Sequence, residues 1–389
     1  GPIDLLPAGF HSKERAMIVR GAKAVVVMLV ADLLQGVYSL LRGKGTMIVY
    51  YASTRKGVTK AVREVLEALD YRSILPPGED ILVKVNLTWD YLMPGVDTSP
   101  WVLEAFARVA GDHVGRIFVG ESSQVLVDAS RAYARTGMKE AAERRGMVWH
   151  NFSDNPWVQV EAEGLSFGIP EICTRMPVVS LPVVKTHYRS VISVALKNLY
   201  GCLDDNRHNY HYRLADYVAA VNSAVDVILV IADGTVSLEG NGPKPGIPKQ
   251  TDFIAASRDS VALDHSVSGA MGIDPMSVET TLKADGKVGS TADLREICIP
   301  PLREKPAFEF VRARPNFVAR VERTLRGRRK RTGPGTDGPL IGMMKYGAKK
   351  WYNLAYHLFG QKRLAQRMVN DCVYGPQWKG VPEEEAEWT

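Results

Sequence analysis

The sequence predicts an α/β fold, a largely parallel sheet with helices on both faces. Three observations carry that reading. Short runs rich in Val and Ile are nearly continuous rather than alternating, the pattern of strands buried on both faces. Stretches of helical length and period separate them. The polar residues gather just after those runs, where open parallel sheets bind ligands.

In chain order, residues 12–44 read first as an N-terminal apolar helix with its core at 24–31. Asp32, Gln35 and Gly36 interrupt the apolar run. It therefore reads as a buried or oligomer-forming helix, a helix lying in a membrane surface, or a span. Strands are expected at 47–51, 81–85, 117–120, 178–184, 227–232 and 253–256. Helices are expected at 58–69, 100–110, 138–145, 214–222 and 260–271. Ser99 and Pro100 supply the N-cap and first position of the second of these. Residues 301–340, opened by Pro300-Pro301, hold a basic run at 326–331 and a Gly/Pro stretch, and read as a linker. Residues 341–389 read as a basic helical C-terminal extension, with Lys345, Lys349, Lys350, Lys362, Arg363 and Arg367 among Trp351, Tyr352, Leu354, Leu358 and Phe359. The body between, 46–300, divides into lobes at 46–175 and 176–300 or stays whole.

Composition narrows the class. With 46% hydrophobic and 24% charged residues among 389, the chain is globular rather than disordered. Its net charge of +6 is uneven, since residues 301–389 carry +9 and the rest −3. The basic character therefore belongs to the tail. No nucleic-acid motif accompanies it, so nucleic acid is not the favoured partner. Four scattered cysteines form no C-x-x-C pair, which suits reduced thiols in a cytoplasmic setting. The N-terminus lacks the order of a signal peptide.

Four strand ends carry the candidate chemistry. The first has Lys84, Asn86 and Thr88, and the second Glu121 and Ser122. A lysine in an apolar strand must find a partner or reach the edge. The third is Lys185-Thr186-His187, followed by Lys197, Asn198, Arg207, His208 and His211. A lysine in low-dielectric surroundings can serve as a general base or Schiff-base former, and His187 can titrate near neutrality. The fourth is Asp233-Gly234, then Glu239 and Asn241 in a Gly/Pro-rich loop. The catalytic candidates are Lys185, His187, Lys197, Asp233 and Glu239. The substrate-binding candidates are Lys84, Asn86, Thr88, Glu121, Ser122, Asn198, Arg207, His211 and Asn241. A solvated polar loop, a turn or a helix cap is the bland alternative at each. His187, His208 and His211 are weak metal-ligand candidates without an acidic partner. No G-x-G-x-x-G or Walker lysine motif is present, and no cofactor is assignable.

Taken in order, Val83–Leu87, Thr98–Pro100, Val119–Ser122, Leu181–His187, Lys197–Gly201, Asp233-Gly234, Glu239–Pro243 and Leu263-Asp264 resemble the family called domain of unknown function 362. The resemblance spans roughly residues 80–290 and implies the fold, but no single reaction. Many members carry a ferredoxin-like cysteine segment, which this chain lacks. A more distant analogy runs to the N-terminal part of nickel-pincer lactate racemase, from which no cofactor is transferred.

The expected function is an enzyme acting on an anionic carboxylate- or phosphate-bearing small molecule. Lysine and histidine would polarise the substrate and a carboxylate would move a proton, for isomerisation, elimination or group transfer. The alternatives are a non-catalytic partner protein at an anionic membrane surface, held by the two ends of the chain, and a metal-dependent redox enzyme. Oligomeric state is open, with a homo-oligomer among the partners considered. The expected location is cytoplasmic, with peripheral membrane attachment as the variant.

Overall fold

A computed structural model describes residues 46–124, 127–240, 244, 246–314, 347, 350, 354, 356–358, 360–386 and 388. The N-terminal helix, residues 315–340 of the linker and much of 341–359 lie outside the described residues, as does Asn241. Residues 46–389 form one unit.

The main sheet has ten strands. Along it run β12 (Arg295–Cys298), β1 (Ile48–Ser53), β11 (Ile247–Ser257), β10 (Val227–Glu239), β7 (Val178–Ser180), β2 (Ile81–Lys84), β3 (Ile117–Glu121) and β4 (Val148–Asn151). Of these, only β11 runs against the rest, pairing antiparallel with β1 and β10. The strand expected at 178–184 breaks at Leu181-Pro182, because proline has no N–H for the ladder. The chain resumes as β8 (Val183–His187), which pairs with the far half of β10 and turns back as β9 (Val191–Ser193). A separate hairpin is made by β5 (Trp157–Ala162) and β6 (Leu165–Pro170).

Both faces are covered, as continuous apolar strands require. One core packs the helices Val58–Ala68 and Pro100–Ala110 against the sheet. The other packs Leu214–Ala224 and Ser260–Ala270. The sheet is continuous across residue 175, with β2 and β7 hydrogen-bonded side by side. The C-terminal stretch also joins the body. Tyr374 and Trp378 are buried in the first core, and the Trp101 indole donates to the Val381 carbonyl at 2.8 Å. The Glu383 carboxylate accepts the free N–H groups of Val58 and Thr59, capping the first helix from 325 residues away.

Two expectations differ in extent. β10 continues seven residues past Ala232, since Asp233 finds partners inside the strand and Gly234 makes room for Phe253. A Cβ at Gly234 would stand 2.6 Å from that ring. β11 lengthens to match it.

Candidate functional site

The site is built at the C-terminal ends of β2, β3 and β8. Its floor is the Lys84 ammonium, 2.8 Å from Glu121 Oε2, with both side chains almost wholly buried. Lys84 also donates to the Val85 carbonyl at 2.7 Å. Glu121 accepts the N–H groups of Leu87 and Ser122. A lysine in an apolar strand has thus found its partner on the neighbouring strand. Gly201 lies directly above, where a Cβ would come within 2.5 Å of Glu121 Oε1 and 2.9 Å of Lys84 Nζ. No larger residue fits over the pair without displacing it.

The next layer is centred on Lys185, which projects from β8 and is 1% exposed. Its three N–H groups meet Asn86 Oδ1 at 2.5 Å, Thr88 Oγ1 at 2.8 Å and the Val96 carbonyl at 2.7 Å. Asn86 donates in turn to Asn198 Oδ1 at 2.9 Å, and Asn198 donates to the Lys84 carbonyl and Ser180. Asp97 adjoins this layer. One oxygen accepts the N–H groups of Thr88 and Trp89, while the other is buried without a hydrogen-bond partner. Burial pushes the Asp97 carboxyl up to about 7, with the Lys185 charge opposing. Burial pulls Lys185 down to about 7, with Asp97 opposing. Each therefore favours the charged form of the other against burial. Lys244 reaches the same loop, donating to the Thr88 carbonyl, and burial lowers it to about 8.

The rim differs. Lys197 follows the start of a four-residue helical turn, Ala195–Asn198. Asp264, wholly buried, accepts the N–H groups of Ala195 at 2.6 Å and Leu196 at 3.3 Å and so fixes the base of that turn. Its carboxylate is therefore occupied by backbone. The Lys197 ammonium lies 4.0 Å from the Tyr200 ring centroid, a cation–π contact. Burial, with Arg207, Lys185 and Arg189 adding to it, lowers Lys197 to about 7. Arg207 is buried, and its donors go to neutral oxygens: Ser122 Oγ and the carbonyls of Gly201, Leu203 and Ser123. His187 accepts the N–H of Arg189 at 3.0 Å on Nδ1, so its proton sits on Nε2. Burial and the surrounding cations, Lys197 first among them, hold it well below the usual histidine range. The His211 ring lies 5.3 Å from that of Tyr200.

The structure therefore joins Lys84, Asn86, Thr88, Glu121, Ser122, Lys185, Asn198 and Arg207 in one hydrogen-bonded assembly. Lys197, His187 and His211 stand within its field. Two of the carboxylates named from the sequence lie elsewhere. Asp233 is wholly buried in β10, where it accepts from Ser99 N at 2.8 Å, Thr235 N at 3.0 Å and Thr235 Oγ1 at 2.6 Å. It braces the start of the helix at Pro100, and burial raises its pKa. Glu239 follows Leu238, the register partner of Lys185, so its side chain leaves the opposite face of the sheet. There it binds Lys249 at 2.9 Å and Val311 N at 3.1 Å. His208 bonds the Asp205 carbonyl through Nδ1. Among the described residues no three His, Cys, Asp or Glu side chains gather as metal ligands. Among those residues, too, no helix is long and apolar enough to cross a membrane. Asp97 and Lys244 were not singled out from the sequence. Asp97 sits in an Asp-Thr-Ser-Pro run that reads as a helix start, and Lys244 in a loop.

Residues 81–268 match the model of a family described as Domain of unknown function (DUF362). Over 261 residues the chain is 26% identical to a thylakoid-associated protein of Synechocystis sp., covering 62% of this chain and 78% of that one. A solved structure from Thermotoga maritima overlays with a TM-score of 0.30 at 10% identity, over 52% of this chain. The chain spans only 54% of that structure, and so loose an overlay carries no argument.

Proposed function

We propose that this chain, residues 81–268 of which match the DUF362 family model, is an enzyme acting on an anionic carboxylate- or phosphate-bearing small molecule at the C-terminal ends of β2, β3 and β8. One observation carries this reading: the cations there outnumber the anions that could neutralise them. Lys84 is matched by Glu121, but Lys185 and Arg207 are held by neutral oxygens. Lys197 has no hydrogen-bonded acceptor among the described residues. Uncompensated charge in a low-dielectric site favours an anionic ligand and the growth of negative charge on it.

In this reading Lys197 contacts and polarises the substrate, and the Nε2–H of His187 donates to it. Arg207 supplies charge from behind Ser122. The proton-carrying role considered for Asp233 or Glu239 passes to Asp97, whose carboxyl burial raises to about 7 and whose second oxygen has no hydrogen-bond partner. Isomerisation, elimination and group transfer all draw on those parts.

The test is thermal stabilisation by inorganic phosphate and by small carboxylates, since a ligand bound to the native state raises its melting temperature. Wild type should be stabilised and Lys197→Met should lose most of that gain. Equal stabilisation of both proteins, or none of either, removes the reading.

A second reading is attachment of this enzyme to an anionic membrane surface from the cytoplasmic side. The Synechocystis relative is thylakoid-associated. Leu354 and Leu358 are 49% and 66% exposed, in the same stretch of chain as Lys350, Lys362, Arg363 and Arg367. Apolar and basic side chains together suit such a surface. Flotation with phosphatidylglycerol vesicles and failure to float with phosphatidylcholine vesicles would support it.

A further inference from the structure

We propose that Lys197 is the covalent nucleophile of this site, condensing with the carbonyl group of an anionic aldehyde or ketone, such as a 2-oxo acid or a phosphorylated ketone, to form an imine. The proposal rests on the anion-binding reading above and adds to it a bond and a substrate class.

The four lysines of the site differ in what holds them. Lys84 has Glu121 and the Val85 carbonyl. Lys185 has three oxygens for its three protons. Lys244 has the Thr88 carbonyl. Each of these nitrogens is tied to at least one oxygen of the fold, and for Lys185 losing a proton would forfeit a buried hydrogen bond. Lys197 has no such acceptor among the described residues, only the Tyr200 ring at 4.0 Å. Its nitrogen can lose a proton without breaking a hydrogen bond, which exposes the lone pair that attack requires. Its charged surroundings act in the same sense. Arg207, Lys185 and Arg189 all disfavour the ammonium, against Glu121, itself paired to Lys84, and the Tyr200 ring, which favour it. Desolvation beside other cations is the general means of making a lysine nucleophilic at neutral pH.

The remaining parts fit the sequence of steps. The substrate's carboxylate or phosphate is drawn by the same uncompensated charge. The Lys197 lone pair adds to the carbonyl carbon and the C=O π electrons move to oxygen. That oxygen is hydrogen-bonded by the Nε2–H of His187, which stays neutral, and takes two protons, one from the attacking nitrogen and one from solvent. The carbinolamine then loses its oxygen as water, and the nitrogen keeps a double bond to carbon. One water leaves and no oxidant or reductant is consumed. The protonated imine then withdraws electrons from the adjacent carbon, which makes an α-proton removable by a base such as the Asp97 carboxylate, one oxygen of which has no hydrogen-bond partner. Asp264 acts as a positioning residue, because it fixes the turn that presents Lys197.

Two measurements on the full chain test this. First, pyruvate and dihydroxyacetone phosphate are each added with sodium cyanoborohydride, and the reduced adduct is mapped by peptide mass spectrometry. The adduct is expected on Lys197 and absent from Lys84, Lys185 and Lys244. Second, competitive labelling of wild type with acetic anhydride across pH 5–11 reads the reactivity of each lysine without any substrate. Lys197 is expected to reach half its limiting rate near neutrality, well over tenfold ahead of surface lysines at pH 7. A Lys197 that labels with the pH dependence of surface lysines, or not at all, overturns the proposal. If Lys197 behaves so while phosphate still stabilises wild type and not Lys197→Met, the nucleophile is wrong and the anion site stands. If phosphate stabilises neither, the underlying reading has failed instead.

Discussion

The Lys84 ammonium and the Glu121 carboxylate meet at 2.8 Å on adjacent parallel strands, and neither side chain reaches solvent. Breaking such a pair leaves a buried charge alone, whereas replacing both partners removes the charge and its desolvation together. Glu121→Leu or Lys84→Met alone should therefore cost about 3–5 kcal/mol of stability. Lys84→Met with Glu121→Leu should recover most of it. Urea unfolding of the four proteins of the cycle measures this. A double variant as unstable as the sum of the singles would show that the pair is not the source of the loss.

Asp264 gives a prediction with a pH signature. Burial raises its carboxyl to about 7, against an ordinary value of 3.8. The native state then binds its proton more tightly than the unfolded chain, so this group favours folding below about pH 4. That contribution fades as the pH climbs to about 7. Asp264→Asn should flatten the stability profile between those limits. Asp264→Leu should cost more at every pH, because the N–H groups of Ala195 and Leu196 lose their acceptor, at about 1–3 kcal/mol each. Thermal melts at pH 4.5 and 7.5 separate the two variants.

Lys197 has the opposite dependence. Its folded value of about 7 lies below its ordinary 10.5, so the charged form penalises folding. The penalty is full below about pH 7 and gone above about 10.5. Lys197→Met should raise the melting temperature by a few degrees at pH 6 and by much less at pH 10. An equal gain at both would mean that packing, not charge, explains it.

Glu383 caps the helix that begins at Val58, with bonds to Val58 N, Thr59 N and Thr59 Oγ1. Loss of an N-terminal cap costs about 1 kcal/mol. Glu383→Ala should show that loss in urea unfolding, while Glu385→Ala, two residues on, should show none. Equal effects from both would point to general charge rather than capping.

The layers were legible because periodicity reports burial on two faces. The helix at Pro100–Ala110 begins where Ser99-Pro100 say it should. Strands without that pattern were missed. The hairpin of β5 and β6 turns on Glu163 and Gly164, both at positive φ, which is the signal of a tight two-residue turn. β12 is mostly exposed and polar, so no apolar run marks it. In the site, the lysines could be named because an apolar strand ending in Lys is unusual. Which of them is tied down could not. Three acceptors converge on Lys185 from Asn86, Thr88 and Val96, about ninety residues away in sequence, and none on Lys197. Glu239 shows the same boundary: the side from which it leaves β10 depends on its register with β8, a property of pairing and not of either segment.

The cap supplied by Glu383, and the Tyr374 hydroxyl bonded to Thr54 and Asp252, join the two ends of the described fold. During synthesis the first helix emerges long before its partner exists. A ribosome must make more than three hundred further residues before those N–H groups are satisfied, so the nascent chain passes through a long interval with its opening layer unsecured. Native closure of this layer therefore waits for a segment more than three hundred residues downstream.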